Sequence, residues 1–170
     1  MDKKKEVKVT RVYNAPVELV WQTWTDPKLV MRWWGPDKFT CPSAKIDFRE
    51  GGTSMVSMKS PKEFGGNEWY SIWHYKKIVP LKSIEFVQNL ADKDRNKMPP
   101  TKVGMPPDFP ADIRTVVLFK KLGVNQTEMT VTEYADMGQM AQLAKMGLEQ
   151  SLDKLGVILT KKHEGTFHDF

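Results

Sequence analysis

Trp33-Trp34-Gly35-Pro36 places two adjacent tryptophans at the end of a predicted short helix, because glycine followed by proline stops a helix. An aromatic surface of this size has to be covered by something. The cover is either the protein's own sheet, which makes the tryptophans core residues, or a bound apolar molecule, which makes them the wall of a pocket. The sequence on either side of this stretch bears on that choice.

The residues before the two tryptophans predict one strand and two short helices. Residues 7–13 alternate apolar and polar side chains with the period of a half-buried strand. Asn14-Ala15-Pro16 and Thr25-Asp26-Pro27 each place a capping residue ahead of a proline, which is a signal for a helix start. Apolar residues follow both signals at helical spacing, so we expect two amphipathic helices.

The residues after the two tryptophans predict an antiparallel sheet and one long helix. From Phe39 to about Tyr134, strand-like alternation is divided by turn residues such as Gly51-Gly52. Residues 91–111 contain five prolines and several charges, which indicates a long loop. Beyond Asp136, apolar residues keep helical spacing. The order predicts an α+β fold: a strand, two short helices, about six antiparallel strands and a C-terminal helix.

Length, composition and charge limit the class of protein. The 170 residues are expected to form a single domain, 1–170, with the fold over about 7–160 and a tail at 161–170. One cysteine excludes an internal disulfide, and the start of the chain has no signal-like apolar stretch, so we expect a cytoplasmic protein. No apolar run is long enough to span a bilayer. The net charge of +5 comes from scattered lysines and does not predict nucleic-acid binding.

A curved sheet wrapped around a long helix predicts a cavity between the two, open at the loop end. Large apolar side chains on the inner faces are the candidates for its lining, although residues at such positions usually belong to the core. Ten methionines favour a binding site because flexible thioethers repack around irregular ligands. The candidate ligand-binding residues are Trp33, Trp34, Phe39, Met55, Met58, Trp73, Phe86, Phe119, Met129, Met140 and Leu143.

The sequence assigns no catalytic residue, no metal ligand and no cofactor. His74, Arg114 and Glu85 alternate away from the predicted inner face. Cys41 has no evident histidine partner that would make it a nucleophile. Residues 92–96 begin like a calcium loop, but the glycine that such a loop requires is missing. We therefore expect a binding protein, and a buried Glu, His or Arg in the cavity would favour an enzyme instead.

Several motifs, in their order and spacing, resemble one protein family. The similarity covers roughly residues 7–160 and is to the homologues of the activator of heat-shock protein 90 ATPase, C-terminal-domain type, within the START-like (SRPBCC) superfamily. The motifs that carry it are residues 14–21 (NAPVELVW), 25–27 (TDP), 33–36 (WWGP), 49–52 (REGG) and 147–155 (GLEQSLDKL).

The resemblance implies a helix-grip fold, in which the sheet wraps the C-terminal helix around a deep cavity. The superfamily uses such cavities for lipids, sterols, polyketides and other apolar ligands, so the implied function is binding of a small apolar or amphipathic molecule. A polyketide-cyclase-like enzyme and a chaperone-associated interaction module are the alternatives, and a homodimer stays open. The eukaryotic co-chaperone docks through an additional N-terminal domain, whereas six residues precede the first predicted strand here.

One position departs from the pattern of the resembling family. Many members carry a tryptophan after the glycine of the last helix, where this sequence has Leu148. The smaller side chain either enlarges the cavity or is compensated by the neighbouring Met146.

Overall fold

A seven-stranded antiparallel sheet and one long helix make up most of the computed structural model, which describes the backbone of residues 5–164 and the side chains of residues 5–160. The strands are β1 (Val7–Tyr13), β2 (Ala44–Lys45), β3 (Thr53–Lys59), β4 (Glu68–Val79), β5 (Ser83–Ala91), β6 (Ile113–Gly123) and β7 (Gln126–Tyr134). Their order in the sheet is β1-β7-β6-β5-β4-β3-β2. Strands β2 to β7 therefore form a meander, and β1 pairs with β7 to become the edge strand opposite β2.

Three helices complete the described part of the chain: α1 (Val17–Thr25), α2 (Pro27–Trp33) and α3 (Ala141–Glu164), the last preceded by a 3-10 turn at Gly138–Met140. Asp26 caps α2 by accepting a hydrogen bond from the backbone N–H of Lys28 at 2.9 Å, and Pro27 follows at the first helical position. Gly35 ends the segment with a φ of 111°, a conformation that favours glycine. The predicted start and stop of α2 are confirmed.

The α+β architecture predicted from the sequence is confirmed, with two local differences. Strand β2 has only two residues, because the backbone N–H of Asp47 donates to the side chain of Ser54 at 3.2 Å rather than to a strand ladder. The C-terminal helix extends to Glu164, where the sequence predicted a tail without pattern from residue 161. Residues 165–170 of that predicted tail lie outside the described part of the chain.

The core lies between the inner face of the sheet and the three helices. Trp24, Trp33, Trp73 and Phe86 are fully buried and form an aromatic cluster, with ring centroids 4.7 Å apart for Trp24 and Trp33 and 4.9 Å apart for Trp73 and Phe86. The part of α3 from Leu152 onward is also packed into the core. Its buried residues are Leu152, Leu155, Ile158 and Leu159. The first half of α3 is left to face a cavity.

Candidate functional site

A cavity of about 360 Å³ lies between the inner face of the sheet and the first half of α3. This volume is within the range of small-molecule sites. Polar groups make up a small part of the wall surface. The polar residues in the wall are Ser71, Gln88, Asn89, Glu133 and Ser151. The rest of the wall consists of Trp34, Gly35, Pro36, Phe39, Met58, Trp69, Leu90, Met105, Phe109, Pro110, Ala111, Ile113, Met137, Met140, Leu143, Ala144, Gly147 and Leu148.

The two adjacent tryptophans have different roles in the structure. Trp33 is fully buried, and its indole N–H donates a hydrogen bond to the backbone oxygen of Thr23 at 2.8 Å. Trp34 is only partly buried and lines the cavity, with its ring packed edge-on against Trp73. The sequence left a core role and a pocket role open for this pair, and each tryptophan takes one of them.

Five of the eleven candidate lining residues stand in the cavity wall. Four come from three distant parts of the chain, since Phe39 follows α2, Met58 is on β3, and Met140 and Leu143 lie at the start of α3. Trp34 is the fifth. The fold brings these five residues together around one space.

The expectation is corrected for the other six candidates, which lie outside the cavity wall. Trp33, Trp73, Phe86 and Met129 are packed in the core around Trp24 of α1, whose indole N–H donates to the Met129 sulfur at 3.2 Å. The indole N–H of Trp73 has no hydrogen-bond partner among the described residues.

The remaining two of these six candidates, Phe119 and Met55, are held by different neighbours. Phe119 packs edge-on against Trp21 of α1, with ring centroids 5.1 Å apart. Met55 lies in a small separate cluster with Ile72 and Ala91. The strand position of Met55 alternates with that of the cavity residue Met58, so the two side chains belong to opposite faces of the sheet.

Glu133 is the one ionisable side chain in the described wall of the cavity. It stands on β7 opposite Thr115 of β6. The side-chain amide of Gln88 donates one hydrogen bond to Oε2 of Glu133 at 3.2 Å and another to Oγ1 of Thr115 at 3.3 Å. Among the described residues, no hydrogen bond uses Oε1 of Glu133. This oxygen is therefore available to a bound molecule.

Burial raises the pKa of Glu133 to about 7, because the ionised carboxylate loses water, and the hydrogen bond from Gln88 opposes this only in part. The side chain keeps some accessible surface, since it faces the cavity. A carboxyl group with a pKa near neutrality is suited to proton exchange or to binding a ligand cation.

Sequence reasoning did not single out Glu133 as a site residue, although the signal was present. Strict alternation puts Glu133 on the same face as Met129 and Val131. The same reasoning placed Arg114 and Glu85 on the outer face, where they form an exposed ion pair at 2.8 Å. A glutamate near the end of a strand usually lies in solvent, and only the three-dimensional position of α3 covers this one.

The loop between β5 and β6, residues 92–112, closes one side of the cavity with Met105 and residues 109–111. Asp108 of this loop accepts hydrogen bonds from the backbone N–H of Gln139 at 3.0 Å and from its side-chain amide at 3.4 Å. Asp136, followed three residues later by Gln139, has the spacing of a capping box. Instead, Asp136 accepts from the N–H of Gly138 at 2.9 Å, and Asp108 binds Gln139.

The positions of Leu148 and Met146 on α3 show whether Met146 compensates for the smaller side chain at position 148. Leu148 lines the cavity, whereas the side chain of Met146 is 47% exposed. Met146 therefore does not fill the space that a larger side chain at position 148 would take.

Cys41 lies outside the cavity wall. Its thiol donates to the backbone oxygen of Ser43 at 3.3 Å, and burial raises its pKa to about 11, so the reactive thiolate is disfavoured. In residues 5–164, no three His, Cys, Asp or Glu side chains are grouped as metal ligands. None of the helices in that range has the length and apolar character needed to cross a membrane.

The curved antiparallel sheet, the long C-terminal helix and the cavity between them define a helix-grip domain of the START-like class. The sequence model of the family described as activator of Hsp90 ATPase homolog 1-like protein matches residues 14–160. The chain belongs to this family, and the predicted resemblance is confirmed. A comparison with curated protein sequences gave no match.

Solved structures share the fold over nearly the whole chain. A protein from Arthrobacter aurescens has a TM-score of 0.75 and 23% identity, covering 98% of this chain and 94% of its own. An AHSA1 protein from Silicibacter pomeroyi has a TM-score of 0.74 and 17% identity, covering 94% and 100%. A protein from Mycobacterium smegmatis has a TM-score of 0.73 and 22% identity, covering 97% and 94%. At these identities the similarity establishes the fold alone.

Proposed function

We propose that the protein binds a small apolar or amphipathic molecule in the cavity between the sheet and α3. The observation that carries this proposal is a cavity of about 360 Å³ with a mostly apolar wall and few polar groups. Each Å² of apolar ligand surface removed from water contributes about 25 cal/mol to binding. The polar groups, above all Glu133 and Gln88, would orient the ligand.

The open cavity supports a binding protein over a chaperone-associated interaction module. An interaction module needs an exposed apolar patch, and its fold is stable with the interior filled by its own side chains. Here a cavity of about 360 Å³ lies beneath α3, and Leu148, a smaller side chain than tryptophan, lines it. An unfilled apolar space loses dispersion contacts, so a ligand that restores them is favoured.

We further propose that the β5–β6 loop controls entry to the cavity. The loop supplies part of the wall, and the bonds from Gln139 to Asp108 fix it to the start of α3. Opening requires these two hydrogen bonds to break, which is a small free-energy cost for an exposed pair. The rest of the wall stands on strands and helices and does not need to move.

Titration calorimetry with 1-methylnaphthalene, a neutral apolar probe, tests the proposal. In Leu148→Trp a larger ring occupies the cavity, and we expect at least about tenfold weaker binding, or about 1.4 kcal/mol. Met146→Trp adds the same ring at an exposed position of the same helix and should bind like the wild type. No binding by the wild type, or equal loss in both variants, would contradict the proposal.

A second candidate function is favoured by Glu133 alone. A buried carboxyl group with a pKa of about 7 can act as a general base toward a carbonyl compound, the chemistry expected of a cyclase-like enzyme. The test is hydrogen–deuterium exchange at the methyl group of 1-acetonaphthone, followed by NMR. If Glu133 acts as a general base, exchange should be faster with the wild type than with Glu133→Gln. Equal exchange rates would exclude this catalytic role.

A further inference from the structure

The polar end of the cavity is acidic. Glu133 is the one ionisable group in the described wall, and its Oε1 accepts no hydrogen bond from the described residues. The amide of Gln88 holds the other oxygen and also binds Thr115, so the carboxyl group is fixed on the sheet. A molecule that enters the cavity therefore meets a positioned hydrogen-bond acceptor.

No cation in the described part of the chain neutralises this carboxyl group. Lys154 of α3 is turned away, with its Nζ donating to the backbone oxygens of Pro36 and Phe39, both at 3.2 Å. The other charged side chains of this region lie outside the cavity wall. Lys8 on β1 and the Arg114–Glu85 pair alternate to the outer face, and Arg11 of β1, on the inner face, pairs with Asp153 of α3 at 3.3 Å. Lys5 pairs with Asp136 beyond the strand ends, and Asp108 of the β5–β6 loop accepts hydrogen bonds from Gln139.

The rest of the wall also favours a cation over an anion. Trp34, Phe39, Trp69 and Phe109 contribute aromatic rings to it. The face of an aromatic ring carries negative charge and attracts ammonium groups. An anionic amphiphile such as a fatty acid would bring a second negative charge beside Glu133 without a lysine or arginine to balance it.

We propose that the cavity selects amphipathic amines, whose apolar body packs against the aromatic wall while a protonated amino group donates a hydrogen bond to Oε1 of Glu133. This inference rests on the proposed function, because it names the class of ligand for the same cavity. A charge-assisted hydrogen bond of this kind is stronger than one between neutral groups. The bound cation also holds Glu133 in its ionised form.

Three probes with the same aromatic body test the inference: 1-naphthylmethylamine, 1-naphthaleneacetic acid and 1-methylnaphthalene. Calorimetry at pH 8 should give the amine about tenfold tighter binding than the methyl compound, and the acid the weakest binding. Glu133→Gln should remove the preference for the amine, so that the amine and 1-methylnaphthalene bind this variant with affinities within about twofold of each other. Glu128→Gln makes the same change at an outer-face position of β7 and should behave like the wild type.

The same probes separate failure of this inference from failure of the proposed function. Binding of 1-methylnaphthalene without a preference for the amine, or an amine preference that survives Glu133→Gln, overturns the inference alone. Tight binding of the acid also overturns it. If none of the three probes binds, both the proposed function and the inference fail.

Discussion

The side-chain amide of Gln88 donates a hydrogen bond to Oε2 of Glu133 across 3.2 Å, within a cavity whose wall is mostly apolar. The bond joins β5 to β7 over the intervening strand β6, where Thr115 receives the second amide hydrogen. One carboxylate oxygen is thus held by the protein while the other faces the space for a ligand. The helix-grip cavity gains a defined polar end from this arrangement.

Glu133 should make stability depend on pH in a predictable direction. Burial raises its pKa from 4.5 to about 7, so the folded state favours the neutral form. The contribution of Glu133 to stability is therefore complete below about pH 4.5 and is lost as the pH rises through about 7, by about 3 kcal/mol at most. Urea unfolding of the wild type and Glu133→Gln from pH 4.5 to 8 measures this loss. A pH-independent difference between the two proteins would contradict it.

The adjacent tryptophans should separate stability from binding. Trp33→Phe removes a buried hydrogen bond to Thr23 and part of the core, so the free energy of unfolding should fall by about 2 kcal/mol. Trp34→Phe changes the cavity wall, and its main effect should be weaker binding of 1-methylnaphthalene. Urea unfolding and calorimetry on both variants check this. A greater loss of binding in Trp33→Phe than in Trp34→Phe would contradict this division of roles.

The hydroxyl group of Tyr13 should stabilise the contact between β1 and α3. It donates a hydrogen bond to the backbone oxygen of Leu152 at 2.9 Å in a buried position. Tyr13→Phe leaves that oxygen unpaired and should lower the free energy of unfolding by about 1–2 kcal/mol. Tyr134→Phe removes a hydroxyl from a side chain that is 42% exposed and serves as the control. Equal losses of stability in the two variants would count against a special role for Tyr13.

Asp108 should slow the exchange of ligand through the β5–β6 loop. Asp108→Ala removes both hydrogen bonds to Gln139, and a loss of about 1 kcal/mol should speed dissociation of 1-methylnaphthalene about fivefold. Asp94→Ala changes an exposed carboxylate of the same loop and is the control. Dissociation rates from NMR line shapes report the outcome. Unchanged dissociation in Asp108→Ala would argue that the ligand enters elsewhere.

The order of strands and helices followed from the sequence because local signals determine it. Pro27 after the capping residue Asp26 begins α2, and Gly35, with a positive φ, ends the helical segment directly after Trp34. Alternation with a period of two also assigned Arg114 and Glu85 to the outer face correctly. These features depend on residues close together in the chain or on a regular strand.

The site followed from the sequence only in part, because alternation gives the face of a residue but not what covers that face. Trp73 and Gln88 stand opposite each other on the inner face, yet Trp24 of α1 packs against Trp73 while Gln88 borders the cavity. The contact between Asp108 and Gln139 joins a loop to a helix start through tertiary packing. Such contacts between distant segments have no local pattern that predicts them.

The most direct test of a ligand cavity beneath α3 is an NMR titration of ¹⁵N-labelled protein with 1-methylnaphthalene. The account predicts saturable shift changes at the indole N–H of Trp34 and at the backbone amides of Met105, Glu133 and Leu148, which surround the cavity. Exposed Phe64 and Val124 should keep their positions. Shift changes confined to such exposed residues, or no saturable change at all, would contradict the account.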